Sequence, residues 1–135
     1  MVANKLRTKP VRQALLDHTA IPLLVRRIMF DAIYIANYFI NLGILNDAPL
    51  SPMKLQKVLY FANGMNLALT GKPLIRESVE AWQYGPVVES VYHKFKEWGS
   101  RPITKPQPSG NIEPDKMTLD LLSAVWNITK NIDPI

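Results

Sequence analysis

The sequence predicts a mainly α-helical protein: a single compact helical domain with one short extended or β segment near residues 78–84. Apolar residues recur at helical spacing in several stretches, which is typical of amphipathic helices. In 78–84, by contrast, Val, Trp and Tyr are interleaved with polar residues, as in a strand. The chain has 135 residues, of which 47% are hydrophobic and 20% charged. This length and composition suit one globular core.

Two helices are predicted in the first half of the chain. The first covers 29–45, where apolar residues keep a helical rhythm. The second is predicted to begin after Ser51, a good capping residue, with Pro52 at the permissive first position. It is predicted to end at Gly71, which can adopt the left-handed conformation of a helix stop. Its apolar stripe contains Leu55, Val58, Leu59, Ala62, Met65 and Leu69.

A third and a fourth helix are predicted in the second half. We interpret Gly85 and Pro86 as a corner that ends the extended segment and starts the third helix, with Pro86 in its first turn. The stripe of this helix contains Val88, Val91, Tyr92, Phe95 and Trp98. The stretch 101–114 holds several prolines and is predicted to be a long loop. The last helix is predicted over 118–129.

Groups that could support catalysis or bind a metal are sparse. The chain has no cysteine, and His18 and His93 lie far apart without any metal-ligand spacing around them. The six glycines occur one at a time, so the sequence contains no glycine-rich phosphate loop. We therefore predict no enzymatic activity, no cofactor and no metal. The sequence favours a protein that acts by binding another protein.

The net charge of +5 arises entirely in residues 1–27, which hold six Lys and Arg side chains and one carboxylate. We predict a basic N-terminal arm over 1–27 and a domain over 28–135. Such an arm can attract an acidic partner or nucleic acid. It contains no Phe, Trp or Tyr that could stack on bases, and only His18 follows its first basic residues at a distance, so nucleic acid is not the expected partner. A nucleic-acid-binding regulator that uses this arm remains the alternative.

The sequence also contains features that indicate the cellular compartment of the protein. The lack of cysteine suits a reducing environment. The apolar stretches fall short of a membrane span, and basic residues interrupt any signal-peptide pattern at the N-terminus. We expect a cytoplasmic protein with no membrane attachment.

Two motifs in the middle of the chain carry a family resemblance. They are LSPMKLQKVLYFA at 50–62 and EAWQYGPVV at 80–88, and shorter matches lie at 36–40, 71–75 and 98–103. In this order and spacing they resemble the Panacea antitoxin domain, also described as SocA-like and found in phage-associated proteins. The resemblance extends over residues 28–103.

The resemblance implies a mainly helical domain that serves as the antitoxin of a toxin–antitoxin system. Such a domain neutralises a cognate protein toxin by direct binding and has no catalytic activity. Some relatives are described as adaptors that deliver the toxin to a protease, so a protease is an alternative partner. Many relatives carry an aromatic residue and a histidine where this chain has Met65 and Asn66. No role is therefore expected of that pair here.

Polar residues of the first motif are the candidate partner contacts. Packing of an apolar core does not require Lys54, Gln56 or Lys57 at their positions. We predict that these three residues, together with Tyr60, contact the partner. The alternative is a solvated helix face that caps or pairs with the segment 82–84.

The other signature residues are predicted to be structural: Leu55, Trp82, Tyr84, Gly85, Pro86, Val87 and Tyr92. Large aromatic side chains bury much surface, so we expect Trp82, Tyr84, Tyr92 and Trp98 in the core. Replacing a buried Trp82 by Ala should destabilise the fold by about 3–5 kcal/mol. The alternative is that these aromatic residues are hot spots for a partner.

Overall fold

The computed structural model describes residues 29–110 and 113–132. The helices in these ranges are α1 (Ala32–Leu45), α2 (Pro52–Thr70), α3 (Glu89–Phe95) and α4 (Lys116–Thr129). The strands are β1 (Glu80–Trp82) and β2 (Gly85–Val87), and a short 3-10 helix, Lys96–Trp98, follows α3. The prediction of a mainly helical fold with one short β segment is confirmed. The predicted arm, 1–27, lies outside the described residues.

The start of α1 is tied to the connector that follows α2. Phe30 forms an isolated parallel bridge with Ile75, and its N–H donates to the carbonyl of Leu74 at 2.9 Å. At the first residue of α1, the N–H of Ala32 donates to Oε1 of Glu77, also at 2.9 Å. A carboxylate there satisfies one of the helix's terminal donors and complements the positive end of the helix dipole.

Helix α2 begins and ends where the sequence predicts. The side chain of Ser51 accepts a hydrogen bond from the N–H of Lys54 at 3.2 Å, and Pro52 occupies the first turn. Gly71 closes the helix at φ +77°, in the left-handed region, and donates its N–H to the carbonyl of Leu67. The predicted cap, proline and stop are confirmed.

The buried face of α2 ends earlier than its apolar stripe. The part of the stripe that lies fully in the core consists of Leu55, Val58, Leu59 and Ala62. Met65 is half-buried against the core, and Leu69 is 72% exposed. The predicted stripe is therefore wrong at Leu69, because the neighbouring elements cover only the first part of α2 and leave its last turn in solvent.

The two strands form an antiparallel hairpin, and the predicted corner at Gly85 and Pro86 is wrong. The register pairs Glu80 with Val87, Ala81 with Pro86, and Trp82 with Gly85. Gly85 and Pro86 therefore belong to β2, and α3 begins only at Glu89. In a hairpin with a two-residue turn, the Ala81–Pro86 pair is the one without mutual hydrogen bonds. A strand tolerates proline there, because its missing N–H would point away from the partner strand.

The core forms around α2, which contacts α1, α3, α4 and β2. Its largest fully buried side chains include Phe39, Ile35, Leu55, Leu59, Leu74, Phe95 and Leu122. In the loop after the 3-10 helix, the fully buried Ile103 donates its N–H to the carbonyl of Leu50 at 2.7 Å. Helix α4 begins two residues before the predicted start at 118, since Asp115 accepts the N–H of Thr118 as its cap. In the described ranges, no helix has the length and hydropathy needed to cross a membrane.

Candidate protein-binding site

Two adjoining grooves lie where the hairpin meets α2. The first, here called the α3 groove, has a volume of about 420 Å³ and lies between the start of α2, the hairpin and α3. The second, the α4 groove, has a volume of about 320 Å³ and lies between α2, β2 and the end of α4. Lys57 and Pro86 line both grooves. These two residues therefore form the ridge between them.

Gln56 fixes the hairpin to α2. Its Nε2 donates to the carbonyl of Val88 at 3.2 Å, and its Oε1 accepts the N–H of Val88 at 2.8 Å. In the hairpin register, the N–H and the carbonyl of Val88 point away from β1. The Gln56 carboxamide bonds to both groups, as the backbone of a third strand would. Gln56 is only 8% exposed. Of the four predicted contact residues, this one is placed to hold the hairpin and offers little surface to a partner.

Lys54 joins the start of α2 to the end of α4. Its Nζ donates to the carbonyl of Lys130 at 3.4 Å and to the carbonyl of Ile132. The last carbonyls of a helix lack partners within the helix, and a cation there also complements the negative end of the helix dipole. These bonds hold the end of α4, which forms one wall of the α4 groove, against the start of α2.

Lys57 lies on the ridge with its side chain half-buried. Its Nζ is 3.6 Å from the point where a Cβ on Gly85 would lie, so the ammonium group is close to the backbone of β2. Within 29–110 and 113–132, its Nζ forms neither a hydrogen bond nor an ion pair. Lys57 lines both grooves, and the aliphatic stem of a lysine can cover apolar surface while its ammonium group stays in water.

Three signature aromatic residues lie on the surface, so their predicted burial in the core is wrong. Trp82 is 38% exposed, Tyr84 77% and Tyr92 39%. Tyr84 lies in the hairpin turn, and all three residues of β1 are exposed because nothing in the described structure covers that strand. The Trp82 and Tyr92 rings meet edge to face with centroids 5.0 Å apart, and Trp82 Nε1 donates to Glu80 Oε1 at 2.9 Å. All three aromatic side chains line the α3 groove.

The rest of the predicted signature follows the hairpin. Leu55 is fully buried beneath it, and Gly85, Pro86 and Val87 are half-buried in β2. Trp98, in the 3-10 helix, is half-buried against the core, with the Arg101 guanidinium 5.2 Å from its ring centroid. The predicted burial of Trp98 in the core is therefore confirmed in part.

The α4 groove contains the fourth predicted contact residue, Tyr60, which is 53% exposed. Phe61 and Ile132 also line this groove and are exposed. Phe61 is not among the contact residues predicted from the sequence. Phe61 lies off the buried stripe of α2 that contains Val58, and this position could have identified it as a contact residue. A large aromatic residue on the polar side of a helix often marks an interface.

The grooves have a simple electrostatic character. Among residues 29–110 and 113–132, the charged side chains that line the grooves are Lys54 and Lys57, and no carboxylate in these ranges lines either groove. The pKa of Tyr34 is raised, first by burial and then by the nearby Glu113, but Tyr34 is on α1 and lines neither groove. In the described part of the chain, no three His, Asp or Glu side chains are grouped to hold a metal ion. The site is thus an apolar, aromatic surface with a positive ridge.

Together the fold and the site define a small helical domain whose sequence motifs build an exposed aromatic surface. The family model for the SocA-like antitoxins with a Panacea domain matches residues 55–133, which is more than half of the chain. The chain therefore belongs to the SocA-like antitoxin family, as its motifs predict. The match starts later than the resemblance over 28–103 and continues further, through α4.

An individual relative gives the same assignment. The Antitoxin SocA of Caulobacter vibrioides (strain NA1000 / CB15N) is 41% identical to this chain over 73 residues. The aligned region covers 54% of this chain and 39% of that protein, so the match spans about two fifths of the relative's length. No solved structure matches the chain.

Proposed function

We propose that this protein is an antitoxin that neutralises a cognate protein toxin by direct binding. The observation that carries the proposal is the exposed aromatic surface around the two grooves. It is built from the motif at 50–62 and the hairpin motif, and most of it lies within the part of the chain that the family model matches.

The composition of this surface supports protein binding. Large exposed hydrophobic side chains gather around the two grooves: Met53, Tyr60, Phe61, Trp82, Tyr84, Tyr92 and Ile132. Clustered exposed apolar residues of this kind are typical of interaction sites, whereas single ones are normal on any surface. Tyr and Trp contribute most to interface energetics, because they bury a large area with few rotatable bonds.

We further propose that neutralisation requires no covalent step by this chain. On α3, His93 and Glu89 form an exposed pair whose side chains lie 3.4 Å apart. Neither residue lines a groove. An exposed pair one helical turn apart contributes little to stability and is not aligned with a nucleophile.

Co-expression with the toxic gene encoded beside this one tests the proposal. The wild-type chain should restore growth and co-purify with the toxin. Tyr84→Ala should weaken both, because Tyr84 lies on the proposed surface and is too exposed to matter much for folding. Leu69→Ala is the matched control: Leu69 is similarly exposed but lies outside both grooves, so this variant should behave as wild type. Restored growth without any complex would contradict the proposal.

The same experiment separates masking of the toxin from its delivery to a protease. Under the masking proposal, growth is restored equally in a strain that lacks the protease, and the toxin level stays constant. Loss of rescue in that strain, together with a toxin that no longer disappears, would favour the adaptor function.

A further inference from the structure

We propose that the two grooves bind a segment of the partner protein in which a carboxylate is flanked by apolar side chains. The carboxylate meets Nζ of Lys57 on the ridge, and the apolar side chains enter the α3 groove and the α4 groove on either side. This inference rests on the proposed function and specifies the chemistry of the toxin surface that the antitoxin binds.

The charge of the grooves favours a carboxylate. In the part of the chain that the structure describes, the lining of the two grooves contains two cations and no anion. Lys54 donates to the carbonyls at the end of α4, whereas Lys57 has no hydrogen bond or ion pair within the described residues. A carboxylate that meets Nζ of Lys57 between the largely apolar walls of the two grooves would be partly desolvated, and charge-assisted hydrogen bonds are stronger there than in bulk water. An acidic side chain is therefore the group that the ridge selects.

The shape of the site favours apolar side chains on both sides of the carboxylate. A groove lies on each side of the ridge, and both volumes fall within the range of about 300–1,000 Å³ typical of sites for small ligands. Each groove can therefore admit one or two apolar side chains. Their walls are largely apolar and aromatic, with Met53, Trp82 and Tyr92 on one side of the ridge and Tyr60, Phe61 and Ile132 on the other.

The same features favour a peptide segment over a nucleic acid. Binding to a phosphate backbone depends on several Lys or Arg contacts, each of which adds to the salt dependence. The lining of these grooves offers two lysines, and Lys54 already bonds to the end of α4. A carboxylate between apolar side chains uses the whole site, whereas a phosphate backbone would leave its apolar walls unused.

Selection of displayed random peptides on the full chain tests the proposal. Enriched peptides should carry Asp or Glu with aromatic or aliphatic residues on both sides. One enriched peptide and its counterpart with Asn or Gln in place of the acid are then titrated against wild type, Lys57→Met and Lys57→Arg. Lys72→Met is the matched control, because Lys72 is exposed and lies outside both grooves.

Wild type should bind the acidic peptide about tenfold more tightly than the amide peptide, which corresponds to about 1.4 kcal/mol. Lys57→Met should abolish this preference while retaining the weaker binding of both peptides, and Lys57→Arg and Lys72→Met should preserve it. Enriched peptides without acidic residues, or a preference that survives Lys57→Met, would overturn the proposal. So would a labelled DNA or RNA strand whose binding depends on Lys57.

Toxin co-purification with Lys57→Met distinguishes failure of this inference from failure of the proposed function. A Lys57→Met chain that holds the toxin as tightly as wild type would refute the groove assignment and leave the antitoxin function intact. If wild type itself forms no complex with the toxin, the proposed function fails, and the peptide titration still decides whether the grooves select a carboxylate.

Discussion

The carboxamide of Gln56 bonds both backbone groups of Val88, a residue 32 positions further along the chain. Both residues are buried, so a side chain that cannot form these bonds leaves a donor and an acceptor unpaired. An unpaired buried polar group costs about 1–3 kcal/mol. The polar residue in the middle of the motif therefore has a structural explanation, which the local sequence could not supply.

We predict that Gln56→Leu lowers the free energy of unfolding by about 2 kcal/mol, because Val88 loses both partners. Denaturant titration measures the change. Gln83→Leu is the control: Gln83 lies exposed in the hairpin turn, so its replacement should change stability by less than about 0.5 kcal/mol. Equal effects of the two substitutions would show that the hydrogen bonds between Gln56 and Val88 contribute nothing to stability.

The exposure of Trp82 changes the expected result of its replacement. A fully buried tryptophan would cost about 3–5 kcal/mol on truncation. Trp82 keeps an edge-to-face contact with Tyr92 and a hydrogen bond to Glu80, but its ring is partly in solvent. We predict that Trp82→Ala destabilises the fold by only about 1–2 kcal/mol and weakens partner binding more strongly than it affects stability. A loss of about 3–5 kcal/mol in the free energy of unfolding, with unchanged partner binding by the protein that remains folded, would contradict this prediction.

At the scale of the elements, the hairpin depends on the backbone of Gly85, whose φ of +124° is rarely accessible to other residues. We predict that Gly85→Ala destabilises the protein by about 1–3 kcal/mol through backbone strain. Gly64→Ala should do the opposite and stabilise it by about 0.5–1 kcal/mol, because Gly64 lies within α2 and a Cβ there meets nothing within 4 Å. Thermal unfolding of both variants checks the prediction, and a destabilising effect of the same size in both would contradict it.

The helices could be predicted because their signals are local. Ser51, Pro52 and Gly71 mark the ends of α2 within a few residues of the backbone groups that they satisfy. The hairpin could not be predicted in the same way. The pair Gly85-Pro86 suits the start of a helix, and it equally suits a strand in which the proline nitrogen faces away from the partner strand. The strand is held in place by Gln56, which lies far away in the sequence. The position of the hairpin thus depends on a contact between residues that are distant in the sequence, and no local pattern contains it.

The candidate site could be predicted only in part, for a related reason. Lys57 and Tyr60 were recognisable as polar or amphipathic residues off the buried stripe of α2, and both line a groove. The size of Trp82, Tyr84 and Tyr92 predicts that they lie in the core. Their exposure follows from the hairpin, whose first strand has no covering element in the described structure. Composition predicts which residues favour burial, but only the topology determines which ones are covered.

At the scale of the whole molecule, the excess positive charge lies in residues 1–27, whereas the described domain contains the family motifs. We predict that a chain beginning at Ile28 neutralises the toxin as well as the full chain does. We also predict that neither form binds promoter DNA at physiological salt. Growth rescue and gel-shift measurements check both points. A DNA shift seen only with the full chain, with a log–log salt slope of about −0.9 per phosphate contact, would instead support the regulator function.

We propose that neutralisation is a stoichiometric binding event. The most direct test adds purified antitoxin to a fixed amount of purified active toxin, with no other protein present, and measures the remaining toxin activity. Direct binding predicts that activity falls in proportion to the added antitoxin and ends at a fixed molar ratio, with both proteins intact. Loss of activity at far lower ratios that grows with time would indicate catalysis. Unchanged activity at molar excess would contradict neutralisation by direct binding.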